Sequence, residues 1–133
     1  MPGLTDLQTV LDSIVVECDE VTYGFATQPV LPDAPLVKFE AQIREKEGTT
    51  IIAATEHLES AGIKYEGPFA KLTVNVHTSL DLIGLTAVLA TKLAENDISA
   101  NVVAGFFHDH IYVQFDKRQE AIDSIAGLKE SIN

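Results

Sequence analysis

From Phe69 onward the apolar residues change period several times, and the order of those changes constrains the fold more than any other feature of the chain. Over Phe69–His77, Leu72, Val74 and Val76 alternate with Lys71, Thr73, Asn75 and His77, the pattern of a strand with one buried face. Thr78-Ser79 then offers a hydroxyl cap and Asp81 a first-turn carboxylate. Leu82, Leu85, Leu89 and Leu93 follow at helical spacing until Asn96-Asp97. The stretch Ile98–Phe107 is rich in β-formers. His108-Asp109 is the expected turn into a second alternating run, in which Ile111, Val113 and Phe115 share a face. Asp116 is the expected cap of a last helix striped by Ala121, Ile122, Ile125 and Leu128.

The order strand, helix, strand, strand, helix dictates a layered arrangement. Right-handed crossovers collect the helices on one face of a sheet. The opposite face is expected to carry Thr73, Asn75, His77, Tyr112 and Gln114, a set too polar for a core. We read the first and third strands as parallel neighbours. That places His77 and His110 roughly 15 Å apart at about 3.3 Å per strand residue.

The first half is less regular. Leu4, Leu7, Leu11 and Ile14 predict a short opening helix, and Val21–Ala26 a strand. Pro29, Pro32 and Pro35 mark a loop, since proline donates nothing to a ladder. Leu36–Ile43 alternates weakly. Gly48–Ala54 predicts a turn and strand, with Thr55 capping a helix that Gly62 stops. Residues 1–66 therefore read as an incomplete, degenerate copy of residues 67–133.

Charge excludes several functions. The chain of 133 residues carries a formal net charge of −11. Residues 1–66 hold four basic and twelve acidic side chains, and residues 67–133 five and eight. Both halves repel a phosphate backbone and an anionic membrane, so neither nucleic acid nor membrane is an expected partner. The first residues lack a basic start followed by an apolar run, which predicts a soluble cytoplasmic protein without a signal peptide. One cysteine, Cys18, is read as a small packed residue.

Asp81-Leu82-Ile83-Gly84-Leu85, set after a Val-rich strand and followed by Leu93-Ala94-Glu95, resembles the ACT-domain pattern of strand, D-x-x-G-L and helix. The likeness covers residues 69 to 128, and the departure is Leu82-Ile83 where the family has Arg or Pro. Tyr23–Thr27, Glu47–Ile52 and His108–Val113 look like segments of small bacterial proteins made of two ACT-like halves. The resemblance implies an α+β, ferredoxin-like (βαββα) ACT domain over 67–133, with the degenerate half over 1–66 sharing its sheet or lying beside it. It also implies a regulatory, non-catalytic module. A homodimer is expected because an exposed edge or open sheet face tends to be covered. The small ligand, an amino acid, is placed at Thr78, Ser79, Leu80, Asp81, Gly84 and Leu85 together with Asn101, Val102, Val103 and His110. A helix N-terminus there favours the ligand's carboxylate.

The bland readings stand beside these. Ser79 suits capping better than nucleophilic attack, and Gly84 serves packing as well as it serves ligand contact. His77, His108 and His110 are expected not to share a metal, and no cofactor is expected. An enzyme using Asp109 and His110 lacks a nucleophile in its motif. The main alternative to a sensor is a protein–protein interaction module with no small ligand.

Overall fold

The computed structural model describes residues 7–29, 37–75 and 84–129. In chain order these form α1 (Leu7–Asp12), β1 (Val15–Cys18), β2 (Tyr23–Gln28), β3 (Ala41–Arg44), β4 (Thr49–Ala54), α2 (Thr55–Ser60) and β5 (Glu66–Asn75). Then follow α3 (Leu85–Glu95), β6 (Asn101–Ala104), β7 (Asp109–Gln114) and α4 (Arg118–Ala126). All seven strands join one sheet, in the order β3-β4-β2-β5-β7-β6, with β1 also on β5.

Strand β5 is common to both halves. Its first residues pair with β2 (Tyr23 opposite Phe69) and its last with β1 (Cys18 opposite Leu72, Val15 opposite Asn75). Its other edge pairs with β7 from Phe69–Gln114 to Val74–Asp109. The first half thus borrows β5 as its last strand, and the second half borrows β1 as its missing fourth. Every pairing is antiparallel.

Alternation puts Ala70, Leu72 and Val74 of β5 under the helices, where they are fully or almost fully buried. They pack with Ile111 and Val113 of β7, with Leu85, Leu89 and Leu93 of α3, with Ala121 and Ile125 of α4, and with Val10 and Leu11 of α1. Burying each of the larger side chains contributes about 1.5–3 kcal/mol. A smaller cluster of Ala26, Ile51, Ala53 and Leu58 holds α2 on the same side of the sheet.

Several expectations change. The strands carrying Thr73 and His110 are antiparallel rather than parallel, because β7 turns back from β6 and runs between β5 and β6. His110 accordingly lies directly opposite Thr73. The tip of the β6–β7 hairpin is Phe106-Phe107, closed by the Gly105 N–H donating to the His108 carbonyl at 2.9 Å, and not His108-Asp109. Thr55 does not cap α2, since its hydroxyl pairs with that of Thr22. Asp116 lies in a 3-10 turn (Phe115–Lys117) ahead of α4, whose N-cap residue is Lys117 with no side-chain cap bond. The expected Thr78-Ser79 cap lies outside the described residues. Finally, the face away from the helices is not wholly polar. Tyr23, Ile52 and Tyr112 form a third buried cluster there, with Phe25, Phe69 and Val103 around them.

Candidate functional site

The helix-free face gathers polar groups from both halves around Lys71. Odd-numbered β5 residues point away from the helices, so Lys71 follows from the same alternation that buries Leu72. Its ammonium lies 3.4 Å from Asp19 Oδ2 and 3.8 Å from Glu40 Oε1. It also sits 5.1 Å from the centre of the Tyr23 ring, within cation–π range. Asp19 comes from the link between β1 and β2, and Glu40 from the residue before β3. Only 15% of the Lys71 side chain is exposed, so its charge depends on these two carboxylates.

The tyrosines complete the group. The Tyr23 hydroxyl donates to Asp19 Oδ2 at 2.5 Å, with Glu40 Oε1 3.3 Å away. Burial, the bond to Asp19 and the nearby negative charges push the Tyr23 phenol well above its usual range. Burial, with the charges of Glu40 and Asp19, pushes Tyr112 up to about 12. Tyr23, Phe25, Phe69 and Tyr112 meet edge to face at 5.2–5.8 Å between ring centres. Both phenols stay protonated at neutral pH, so they act as hydrogen-bond groups rather than bases. The cluster can hold and orient a polar partner.

Next to this cluster, Thr73 Oγ1 and His110 Nδ1 are 3.1 Å apart. Burial, then the positive charges of Lys71 and His108, lower the His110 pKa, with Asp109 and Asp19 acting weakly in the other direction. Val103 pairs with His110 from the other side. Asn101 Nδ2 donates to the Tyr112 carbonyl at 3.2 Å.

The residues predicted from sequence divide between two faces. Thr78, Ser79, Leu80 and Asp81 lie outside the described residues, as does His77. Gly84 (φ +101°) is the N-cap residue of α3 and Leu85 is buried under it. Val102 packs against the helix-side core. Asn101, Val103 and His110 lie on the opposite face, beside Thr73 and Tyr112. Asp19, Tyr23, Glu40 and Lys71 were not singled out by sequence reasoning. The one local sign was a lysine alternating with core residues in β5, while its partners lie 52 and 31 positions away. Among the described residues, no three His, Cys, Asp or Glu side chains form a group able to hold a metal. No helix among them is long and apolar enough to cross a membrane.

Comparison with known proteins matches this architecture. Two models described as ACT domain match the chain, one over residues 2–70 and one over 64–126. Their overlap falls on the start of β5, the strand both halves use. A solved structure from Vibrio cholerae, described as a protein of unknown function and possible transport protein, is 37% identical with a TM-score of 0.82. The match covers 92% of this chain and 95% of that one. A protein from Agrobacterium tumefaciens matches at 18% identity and TM-score 0.73, over 87% of this chain and 89% of its own. Aspartate kinase of Clostridium acetobutylicum, described as an allosteric enzyme, shares the fold at 11% identity and TM-score 0.68. That match covers 85% of this chain and 33% of the kinase. No curated protein matches the sequence.

Proposed function

The chain belongs to the ACT-domain family, and from that premise we propose that it binds an amino acid and relays the ligand's presence to another protein. ACT domains are regulatory, ligand-binding modules rather than catalytic ones, and two of them make up nearly the whole chain. In this reading residues 1–66 are the degenerate module and residues 67–133 the one that carries the ligand. The ligand's carboxylate meets the N-terminus of α3 through Thr78, Ser79, Leu80 and Asp81. Gly84 and Leu85 stand at that end of the helix, whereas Val102 packs into the helix-side core and Asn101, Val103 and His110 lie on the opposite face of the sheet, outside this site. The protein is cytoplasmic and works as a homodimer.

The observation that carries this reading is the start of α3. Gly84 stands at its N-cap with φ +101°, and it has no side chain to satisfy the first N–H groups of an eleven-residue helix. Such a terminus favours an anion. The test is a thermal-shift and calorimetric titration of the full chain against amino acids. A ligand at about one hundred times its dissociation constant adds roughly 2.7 kcal/mol to stability. The expected result is a dose-dependent rise that the double variant Ser79→Ala, Asp81→Ala loses. A rise that survives the double variant removes this location, and no rise with any amino acid removes the ligand class.

One observation favours a partner-binding module instead. Phe106 and Phe107 are each 78% exposed, an unusual cost for a surface that meets only water. Recovery of a stable complex with another protein, with no metabolite response, would support that reading.

A further inference from the structure

We infer that Asp19, Glu40 and Tyr112, with the cavity that opens beside them, form a second ligand site, and that it takes a small primary amine with an apolar body. The site shares no residue with the start of α3 and does not depend on a ligand there. It rests on a buried phenol without a partner, on two half-used carboxylates and on a cavity with apolar walls.

Tyr112 is the first sign. It lies on the face away from the helices, where Tyr23 and Phe25 meet its ring edge to face at 5.8 and 5.4 Å. Only 2% of the residue is exposed. The Tyr23 hydroxyl, in a residue buried to the same extent, is bonded to Asp19. The Tyr112 hydroxyl meets no hydrogen-bond partner among the described residues. Every fully enclosed side-chain nitrogen or oxygen among them does have one, so the sliver of Tyr112 that reaches the surface includes its oxygen. A polar group at that depth is ordinarily bonded, and here the missing partner has an open path from outside the chain.

The two carboxylates are the second sign. Asp19 uses Oδ2 for both Lys71 and Tyr23, and Glu40 uses Oε1 for both. Their other oxygens have no partner among the described residues, and the side chains are 38% and 45% exposed. Lys71 does not saturate them. Its contacts of 3.4 and 3.8 Å are longer than the roughly 2.7–2.9 Å of a tight ammonium–carboxylate bond. Tyr112 stands opposite Lys71 in the β5–β7 register, and the charges of Glu40 and Asp19 both act on its phenol. One patch thus offers two carboxylate oxygens and a phenol oxygen, three acceptors for the three N–H groups of a primary ammonium.

The cavity supplies the shape. Tyr23 and Glu40 also line a space of about 190 Å³, whose apolar walls are Val21, Phe39 and Ala54. Val21 and Phe39 are large apolar side chains left exposed. The volume falls below the roughly 300–1,000 Å³ of pockets for drug-sized ligands, so it limits the ligand to a short apolar body. Charge selects the head group. Asp19, Glu40 and Glu56 outnumber Lys38 and Lys71 around cluster and cavity, with His57 taken as neutral, in a chain of net charge −11. Such a field attracts an ammonium and repels a carboxylate or phosphate.

Titration of the full chain with cyclohexylmethylamine tests this site. The chain has three tyrosines and no tryptophan, so tyrosine fluorescence reports on Tyr23 and Tyr112 with only Tyr65 as background. The expected result is a saturable change, matched by calorimetry, that cyclohexylmethanol and cyclohexanecarboxylate fail to produce. Tyr112→Phe keeps the ring and removes the oxygen, and Glu40→Gln keeps the shape and removes the charge. Each is expected to raise the calorimetric Kd at least about fivefold, with circular dichroism showing the fold retained. The probe has no carboxylate to offer the start of α3, so this result and the amino-acid response tested with Ser79→Ala, Asp81→Ala stand or fall separately. No saturable response to the amine overturns the inference, as does one that neither substitution weakens or that cyclohexylmethanol reproduces. A response to calcium ion alone that the same substitutions abolish assigns the carboxylates to a metal and likewise overturns it.

Discussion

Thr73 on β5 and His110 on β7 sit directly opposite one another in an antiparallel pair, with Oγ1 and Nδ1 3.1 Å apart. That contact fixes the ring beside Lys71, whose ammonium, after burial, is the largest charge effect holding the His110 pKa below its ordinary value. A histidine so placed ties the fold's stability to pH.

The sign follows from proton uptake. The folded-state pKa of His110 lies below the unfolded value of about 6.5, so the unfolded chain takes up the proton first. This contribution to stability is fully present above about pH 6.5 and is lost as pH falls through the window below it. Urea midpoints of the wild type and of His110→Gln, compared at pH 7.5 and 5.5, are expected to show the larger acid loss in the wild type. His57, His77 and His108 are the same in both proteins, so the difference isolates His110. Equal losses in the two proteins would remove His110 as the coupled group.

Lys71 and Tyr23 are predicted to be energetically coupled, because both engage Asp19 and Glu40. Tyr23→Phe removes a bond to a charged acceptor, which costs about 1.5–3 kcal/mol when buried and nearer 1 kcal/mol here, where Asp19 is 38% exposed. Lys71→Met keeps the stem's packing but leaves two carboxylates facing each other, for an expected loss of about 1–2 kcal/mol. A double-mutant cycle in urea is expected to give a non-additivity of at least about 0.5 kcal/mol. Strict additivity would mean that the lysine and the phenol act separately.

The sequence revealed those parts of the fold whose signal is local. Leu72 and Val74, alternating with Lys71 and Thr73, placed β5, and Leu85, Leu89 and Leu93 placed the buried stripe of α3. Strand β1 escaped because Val15, on the outward face, is as apolar as Val16 on the inward one, so no alternation marks it. The hairpin turn was misplaced by two residues because turns are ordinarily polar, and this tip is made of two phenylalanines. The cluster around Lys71 was invisible for a different reason. Its partners meet only after β5 has paired with the first half on one edge and with β7 on the other. The buried tyrosines on the face read as polar were hidden for the same reason: their cover is another tyrosine from a distant strand.

The shared strand leads to the last prediction. Because β5 supplies hydrogen bonds to β1 and β2 on one edge and to β7 on the other, neither half keeps its sheet whole if β5 detaches. The chain is therefore expected to unfold in one cooperative transition rather than two. Leu72→Ala empties a fully buried site in the larger core, and Ile51→Ala one in the smaller core around α2. Each is expected to cost about 2–5 kcal/mol. Near-ultraviolet circular dichroism of the tyrosines and far-ultraviolet circular dichroism of the backbone should move together in both variants. If Ile51→Ala instead splits the melt, with the first half lost while the α3–α4 core persists, the two halves are separable modules and β5 does not couple them.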